Sequence, residues 1–328
     1  NISPRLSFVY SAGATKRHNF RASYQTGFRN PTTQDQYIGL DLGPYALIGS
    51  APENLVRYSE ERAVSQAGIN AGQPATVTLT GNEAYYNSYT VASIQAFAAS
   101  GNPALLQKAD VSLVKPERVQ AFELGYRTVI NNDLSVDING YYNIYNDFLN
   151  QSRVITPYYG TVGSAEAINA IVNKDTRIFN LYSNSKTELS SVGFGVGLSK
   201  KVYKNFELGV NYNYADFEFD AEKDPSFIPG FNTPKNRVKV SLGNEKLFSN
   251  FGFNVNARWN SAYLWQASFG DGMIDENTVL DAQINYGIPK LKSVLKVGAT
   301  NLFGQDYVQV IGAGSIGQQW FVSWTINP

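Results

Sequence analysis

Apolar and polar residues alternate along most of this chain, in runs of about ten residues separated by turns, which is the period of strands rather than helices. Leu6, Phe8 and Tyr10 share one side of Pro4–Ser11. Phe20, Ala22, Tyr24 and Phe28 share one side of the next run, with Arg21, Ser23, Gln25 and Arg29 on the other. The pattern returns at Gln120–Thr128, at Leu134–Ile144, in a run ending near Lys200, and at Phe206–Tyr214 and Arg237–Gly243. It continues at Phe251–Asn260, Leu280–Tyr286, Leu295–Ala299 and Trp320–Ile326. The tally is about 11 strands.

The connections alternate in length. "AGATKRH", "INND", "KKVYKN", "NEKLFSN" and "GIPKLK" are short. The segments at about Asn30–Glu117, Asn146–Arg177, Asp216–Pro234, Gln266–Asn277 and Phe303–Gly317 are long. Short turns alternating with long loops mark an outer-membrane barrel, with the long loops outside the cell. A soluble sandwich also alternates, but its strands are nearer five or six residues, whereas about ten tilted residues cross the hydrocarbon layer. Tyr10, Tyr214, Tyr286, Trp320 and Trp324 lie near run ends on the apolar side, where an aromatic girdle belongs. The fold predicted is all-β, a transmembrane antiparallel barrel whose greasy side meets lipid and whose polar side faces a lumen.

Strand parity adds an expectation. Bacterial single-chain barrels have even strand counts, and an unpaired edge in lipid is costly. An odd tally makes residues 1–328 the C-terminal part of a larger barrel, with a break at Asn1.

Composition narrows the chemistry. Lys and Arg total 27 and Asp and Glu total 27, so no global field draws nucleic acid. There is no cysteine and one histidine, His18, in a turn-like stretch. Thiolate sites, disulfides and histidine metal clusters are thereby excluded from this chain, and no nucleophile–base pair for an enzyme can be assembled. The "GAGSIG" stretch, Gly312–Gly317, has the spacing of a dinucleotide loop, but a strand follows it and no helix; it is read as a loop.

The first long loop carries helix-like spacing in "VASIQAFAAS" and a helix start at Asn102 before Pro103; "AEAINAIVNK" repeats this in the second. Such elements could cover the barrel mouth, dock a surface partner, or pack among themselves. Tyr85, Tyr86 and Tyr89 could stack on a flat ligand or play a structural part. Asp216, Glu218 and Asp220 recur at every second position, as a surface Ca²⁺ site or a solvated strand tip. No other cofactor is expected.

Four stretches resemble TonB-dependent outer-membrane receptors, with a flavour similar to Bacteroidetes-like members. They are "GFRNPTTQDQY" (Gly27, Phe28, Arg29, Pro31, Thr32), "VKPERVQAFELGYR", "FNTPKNRVKVSLG" and "NLFGQDY" (Asn301, Leu302, Phe303), in the family's order. The roles of Pro31 and Thr32 are read as structural, ending a strand and bonding a turn. The resemblance implies a 22-strand barrel, of which about 11 strands are here. It also implies an N-terminal plug, coupling to the TonB complex, a setting of lipid and lipopolysaccharide, and for some members a surface lipoprotein lid. The function it implies is import of a nutrient: a glycan, a peptide or a metal chelate. In such barrels low lumen residues meet the plug and high ones the solute, which points to Asn143, Asn213, Arg258 and Asn260. The alternatives are a passive porin or structural barrel subunit, and a secreted β-rich adhesin or glycan-binding module. The ending "TINP" departs from the family's usual aromatic terminus.

Overall fold

The computed structural model describes residues 2–267 and 270–326; Asn1 and the final Asn327–Pro328, on which the expected break and the terminal departure fall, lie outside the described residues. Eleven strands form one antiparallel sheet in simple sequence order. They are β1 (Arg5–Ala12), β2 (His18–Arg29), β3 (Glu117–Ile130), β4 (Leu134–Asn146), β5 (Leu189–Val202) and β6 (Phe206–Glu218). The remainder are β7 (Asn236–Phe248), β8 (Phe251–Asn260), β9 (Asn277–Ile288), β10 (Ser293–Thr300) and β11 (Gln319–Ile326). The path runs from β1 to β11 without closing, so each of these two strands pairs on one side only within the described residues.

The turns at one end are short, and one is tighter than its sequence suggests. "NEKLFSN" continues β7 as far as Phe248, with a register shift between Asn244 and Phe248. The irregularity absorbs residues that would otherwise form a looser turn. His18, expected in a turn, instead opens β2 opposite Ala12, and its Nδ1 lies 2.8 Å from the Tyr126 hydroxyl.

Cross-strand register aligns the apolar side into continuous rows. Tyr10, Phe20, Tyr126, Ile138, Val196 and Tyr212 follow one another across β1 to β6. Among the described residues nothing covers this side. Leu124 is 69% exposed, Trp320 67%, Val322 71% and Trp324 62%. Water-soluble monomers rarely leave apolar patches beyond a few hundred Å². The sheet's greasy side therefore meets lipid, not a protein core.

The protein core lies elsewhere. Among the described residues the three buried apolar clusters are built from the two longest loops. Their framework is a second sheet containing Gly39–Asp41, Tyr45–Ile48, Leu149–Pro157 and Thr176–Asn184, with short strands Tyr89–Thr90 and Phe227–Ile228 at its side. The second loop thus contains two strands and runs on to Leu189, beyond the expected end near Arg177. The anticipated helices are present at Val91–Ser100 and Ala165–Val172, and Asn102 caps a single 3₁₀ turn at Pro103–Leu105. The result is a folded cap layer on the long-loop end of the barrel wall.

Candidate functional site

The lumen wall is built by the same register on the opposite side. Asn139, Gly195, Asn213, Arg237, Asn260 and Asn277 stand side by side on β4 to β9. One step lower come Asp137, Gly197, Asn211, Lys239 and Arg258. Glycine at 195 makes the upper row possible. A Cβ there would lie 3.0 Å from Asn213 Oδ1 and 3.1 Å from Asn139 Nδ2, so the two amides lean across a bare backbone. Asn260 donates to Asn277 Oδ1 at 3.3 Å, and Asn143, two rows higher, donates to Ser191 Oγ at 3.1 Å.

Charge along this wall is uneven. Arg258 pairs with Asp281 at 3.0 Å, while its solvent-shielded Nε has no partner among the described residues. Arg237 and Lys239, exposed on the adjoining strand, join no ion pair among the described residues. Three cations amid a field of side-chain amides can receive an anionic or oxygen-rich group. Of these, Asn213, Arg258 and Asn260 were singled out from sequence. Arg237 and Lys239 were missed, although their two-residue spacing on β7 was the signal available.

At the rim, motif residues distant in sequence converge. Arg29 donates to Glu117 Oε2 at 3.1 Å and to the Leu149 carbonyl at 2.8 Å, and Glu117 also accepts the Leu149 N–H. Lys115 and Arg118 both reach Asp147. Asn184 ties Lys115 and Asp147 together through their main chains. This knot fastens the cap layer to the barrel wall. Thr32 caps the short helix Thr33–Tyr37 reciprocally with buried Asp35. Gly27 faces the lumen beside Val119, and Phe28 is exposed on the lipid side. Asn301 is buried, with φ of 52°, and its side chain donates to the Gln305 carbonyl. Its neighbour Leu302 bonds Leu280 through the main chain, and Phe303 is exposed.

The three tyrosines separate. Tyr85 is buried and donates to the Tyr182 carbonyl at 2.8 Å; Tyr89 is buried and accepts the Gly163 N–H at 2.8 Å; Tyr86 is half exposed. Only Tyr86 offers a face to a ligand. The acidic trio does not share one strand face, because β6 ends at Glu218 and Asp220 lies in the following turn. Asp216 is held by Lys235 and Tyr214, and Asp220 by Lys223. Among the described residues no three acidic or histidine side chains converge to hold a metal.

The cap layer is pinned by one buried cation. Arg177, 5% exposed in its side chain, reaches Asp41 at 2.6 Å and Glu60 at 2.9 Å. Burial opposes the charge on Asp41, but the Gly43 N–H and the Arg177 and Arg62 guanidiniums outweigh it and hold the carboxyl below its ordinary 3.8. A depressed carboxyl contributes stability above its unfolded value and loses it as pH falls through the folded one. Amide protection in residues 39–48, taken relative to the intrinsic exchange rate at each pH, is therefore expected to fall on acidification below about pH 4, while protection in β7 and β8 holds steady.

Residues 1–302 match the family described as "TonB dependent receptor-like, beta-barrel". The chain belongs to the TonB-dependent receptor family. Receptors of this family are transporters of the Gram-negative outer membrane rather than enzymes, and the uncovered apolar face fits that setting where a secreted adhesin would not. Solved structures share the fold. The siderophore receptor PirA from Acinetobacter baumannii is 11% identical with a TM-score of 0.57 over 99% of this chain and 40% of its own. A ferric enterobactin receptor (PfeA) mutant from Pseudomonas aeruginosa gives 13%, 0.57, 99% and 40%. The F5-1 variant of the FrpB iron transporter from Neisseria meningitidis gives 10%, 0.56, 99% and 39%. This TonB-dependent barrel chain thus spans about two fifths of the length of those structures. Among curated protein sequences, none matches.

Proposed function

We propose that this chain forms part of the barrel of an active importer, in which TonB-coupled movement of a plug passes a solute inward. The family match over residues 1–302 carries this reading. The two free sheet edges, and the share of longer relatives that the chain covers, support further strands completing the wall. The polar lumen side would meet the plug low down and the solute high up. Among glycan, peptide and metal chelate, the Arg237–Lys239–Arg258 group favours an anionic member of any of these classes. The cap layer would cover the mouth, alone or with a surface lipoprotein.

The test is uptake by cells dependent on this receptor, with solutes offered one at a time. The expected result is a requirement for the receptor at scarce solute, abolished by a protonophore or by loss of TonB. An Arg237→Gln/Lys239→Gln receptor should then bind its solute roughly tenfold or more weakly. Uptake indifferent to the protonophore and to TonB would instead make the barrel a passive pore.

A further inference from the structure

The upper lumen row has an aromatic neighbour. Tyr141, the next inward residue above Asn139 on β4, stands beside Gly193 on β5, and Ala215 on β6 follows. Cε1, Cζ and Oη of the phenol are each 2.5 Å from the point where a Cβ on residue 193 would stand. A point equally far from three consecutive atoms at that range lies out of the ring plane, so the phenol lies face-down on the glycine backbone. With glycine beneath it and alanine beyond, its other face is left to the lumen.

The surroundings suit a ligand better than a packed core. Tyr141 is half-buried, and its hydroxyl takes no hydrogen bond among the described residues. Arg237 lies near enough for its charge to act on both Tyr141 and Tyr263. The amides of Asn139 and Asn213, one row lower, are unpaired among the described residues. On the β3 side a recess of about 550 Å³ adjoins the ring, with Arg21, Glu123 and Asn139 around it. By contrast, Tyr85 and Tyr89 are buried and hydrogen-bonded inside the cap layer. Each group here has a counterpart on a solute. The carbon face of a ring stacks on a phenol, hydroxyls exchange hydrogen bonds with amides, which both donate and accept, and an acid group pairs with a guanidinium.

We infer that Tyr141 is a specificity-determining residue of the lumen site, its open face a platform for a ring that carries hydroxyls and an acid group. Gly193 is the positioning residue that lays the platform flat. The site thereby favours cyclic anions over linear anions of the same charge. A sugar acid and a hydroxylated aromatic acid share this chemistry. The inference rests on reading the wall as the inward face of an importer, and it narrows the anionic solute by shape.

The test uses the complete receptor in detergent micelles and three probes: methyl β-glucuronide, 4-hydroxybenzoate and open-chain gluconate. Saturation-transfer NMR titrations give the affinity of each. At least one cyclic probe should bind roughly tenfold more tightly than gluconate, and the tighter of the two identifies the kind of ring. Tyr141→Ala should erase that preference. Tyr141→Phe, which retains the face, should keep it. Gly193→Ala, whose Cβ displaces the ring, should lower it. Gluconate binding should shift less than about twofold in each variant. Heat-modifiable migration would verify a folded barrel; if Gly193→Ala fails to fold, the two variants at 141 decide the matter. A wild-type receptor indifferent to ring form, or a preference that survives in folded Tyr141→Ala, makes the phenol a structural filler over Gly193 and overturns the platform alone. Uptake that ignores the protonophore and TonB overturns the importer reading, whatever the binding ratio.

Discussion

Arg177→Met is expected to loosen the cap layer while leaving the barrel wall intact. Arg177 donates to Asp41, to Glu60 and to the Gly43 carbonyl from a nearly buried position. Methionine fills similar space but returns nothing to those acceptors. Glu60, itself 10% exposed, keeps Arg62 at 2.7 Å and the Tyr58 hydroxyl at 3.0 Å. The loss therefore falls at the lower end of the range for a broken buried pair, about 3 kcal/mol. In hydrogen exchange, protection over residues 39–48 and 176–184 should fall roughly hundredfold, and that of β7 to β9 should stay put. Arg177→Lys should not rescue it, since one ammonium cannot present a planar fork to three acceptors. Equal loosening of barrel and cap would refute the separation of the two cores.

The barrel wall was legible in the sequence because its side-chain period is two and one side is uniformly apolar. Phe253, Val255, Ala257 and Trp259 against Asn254, Asn256 and Arg258 fix which way β8 faces with no tertiary knowledge. The cap layer was legible only in fragments. Its helices show through spacing and through caps such as Thr90 and Ser164. Its sheet does not, because the Tyr45–Ile48 strand pairs in parallel with Thr176–Asn184. More than 120 residues separate the two, and no local pattern encodes such a partner. The burial of Tyr85 and Tyr89 follows from that sheet and was equally hidden. At the lumen, single residues were readable but their grouping was not: Asn213, Arg237 and Asn260 become neighbours only through register.

Val255→Lys and Asn254→Lys should differ sharply although they are adjacent. Val255 lies between Leu242 and Ala282 at the middle of the lipid-facing row of β8, whereas Asn254 faces the lumen between Gly243 and Gln283. A lysine at the bilayer midplane costs about 2–4 kcal/mol, while lumen substitutions are tolerated. In urea titrations of the complete barrel folding into phospholipid vesicles, Val255→Lys should lower stability by that amount. Asn254→Lys should change it by under about 1 kcal/mol. Comparable losses at both positions would mean that neither side meets hydrocarbon.

The most direct measurement uses the chain's lack of cysteine. Spin labels placed singly at Leu208 through Tyr214 on β6, in the complete barrel in lipid, would be read for collision with oxygen and with a water-soluble nickel chelate. The account predicts oxygen accessibility peaking at 208, 210, 212 and 214, with the nickel reagent favouring 209, 211 and 213. Accessibility without that alternation, or low oxygen access at the even positions, would place the apolar side inside protein and contradict the account.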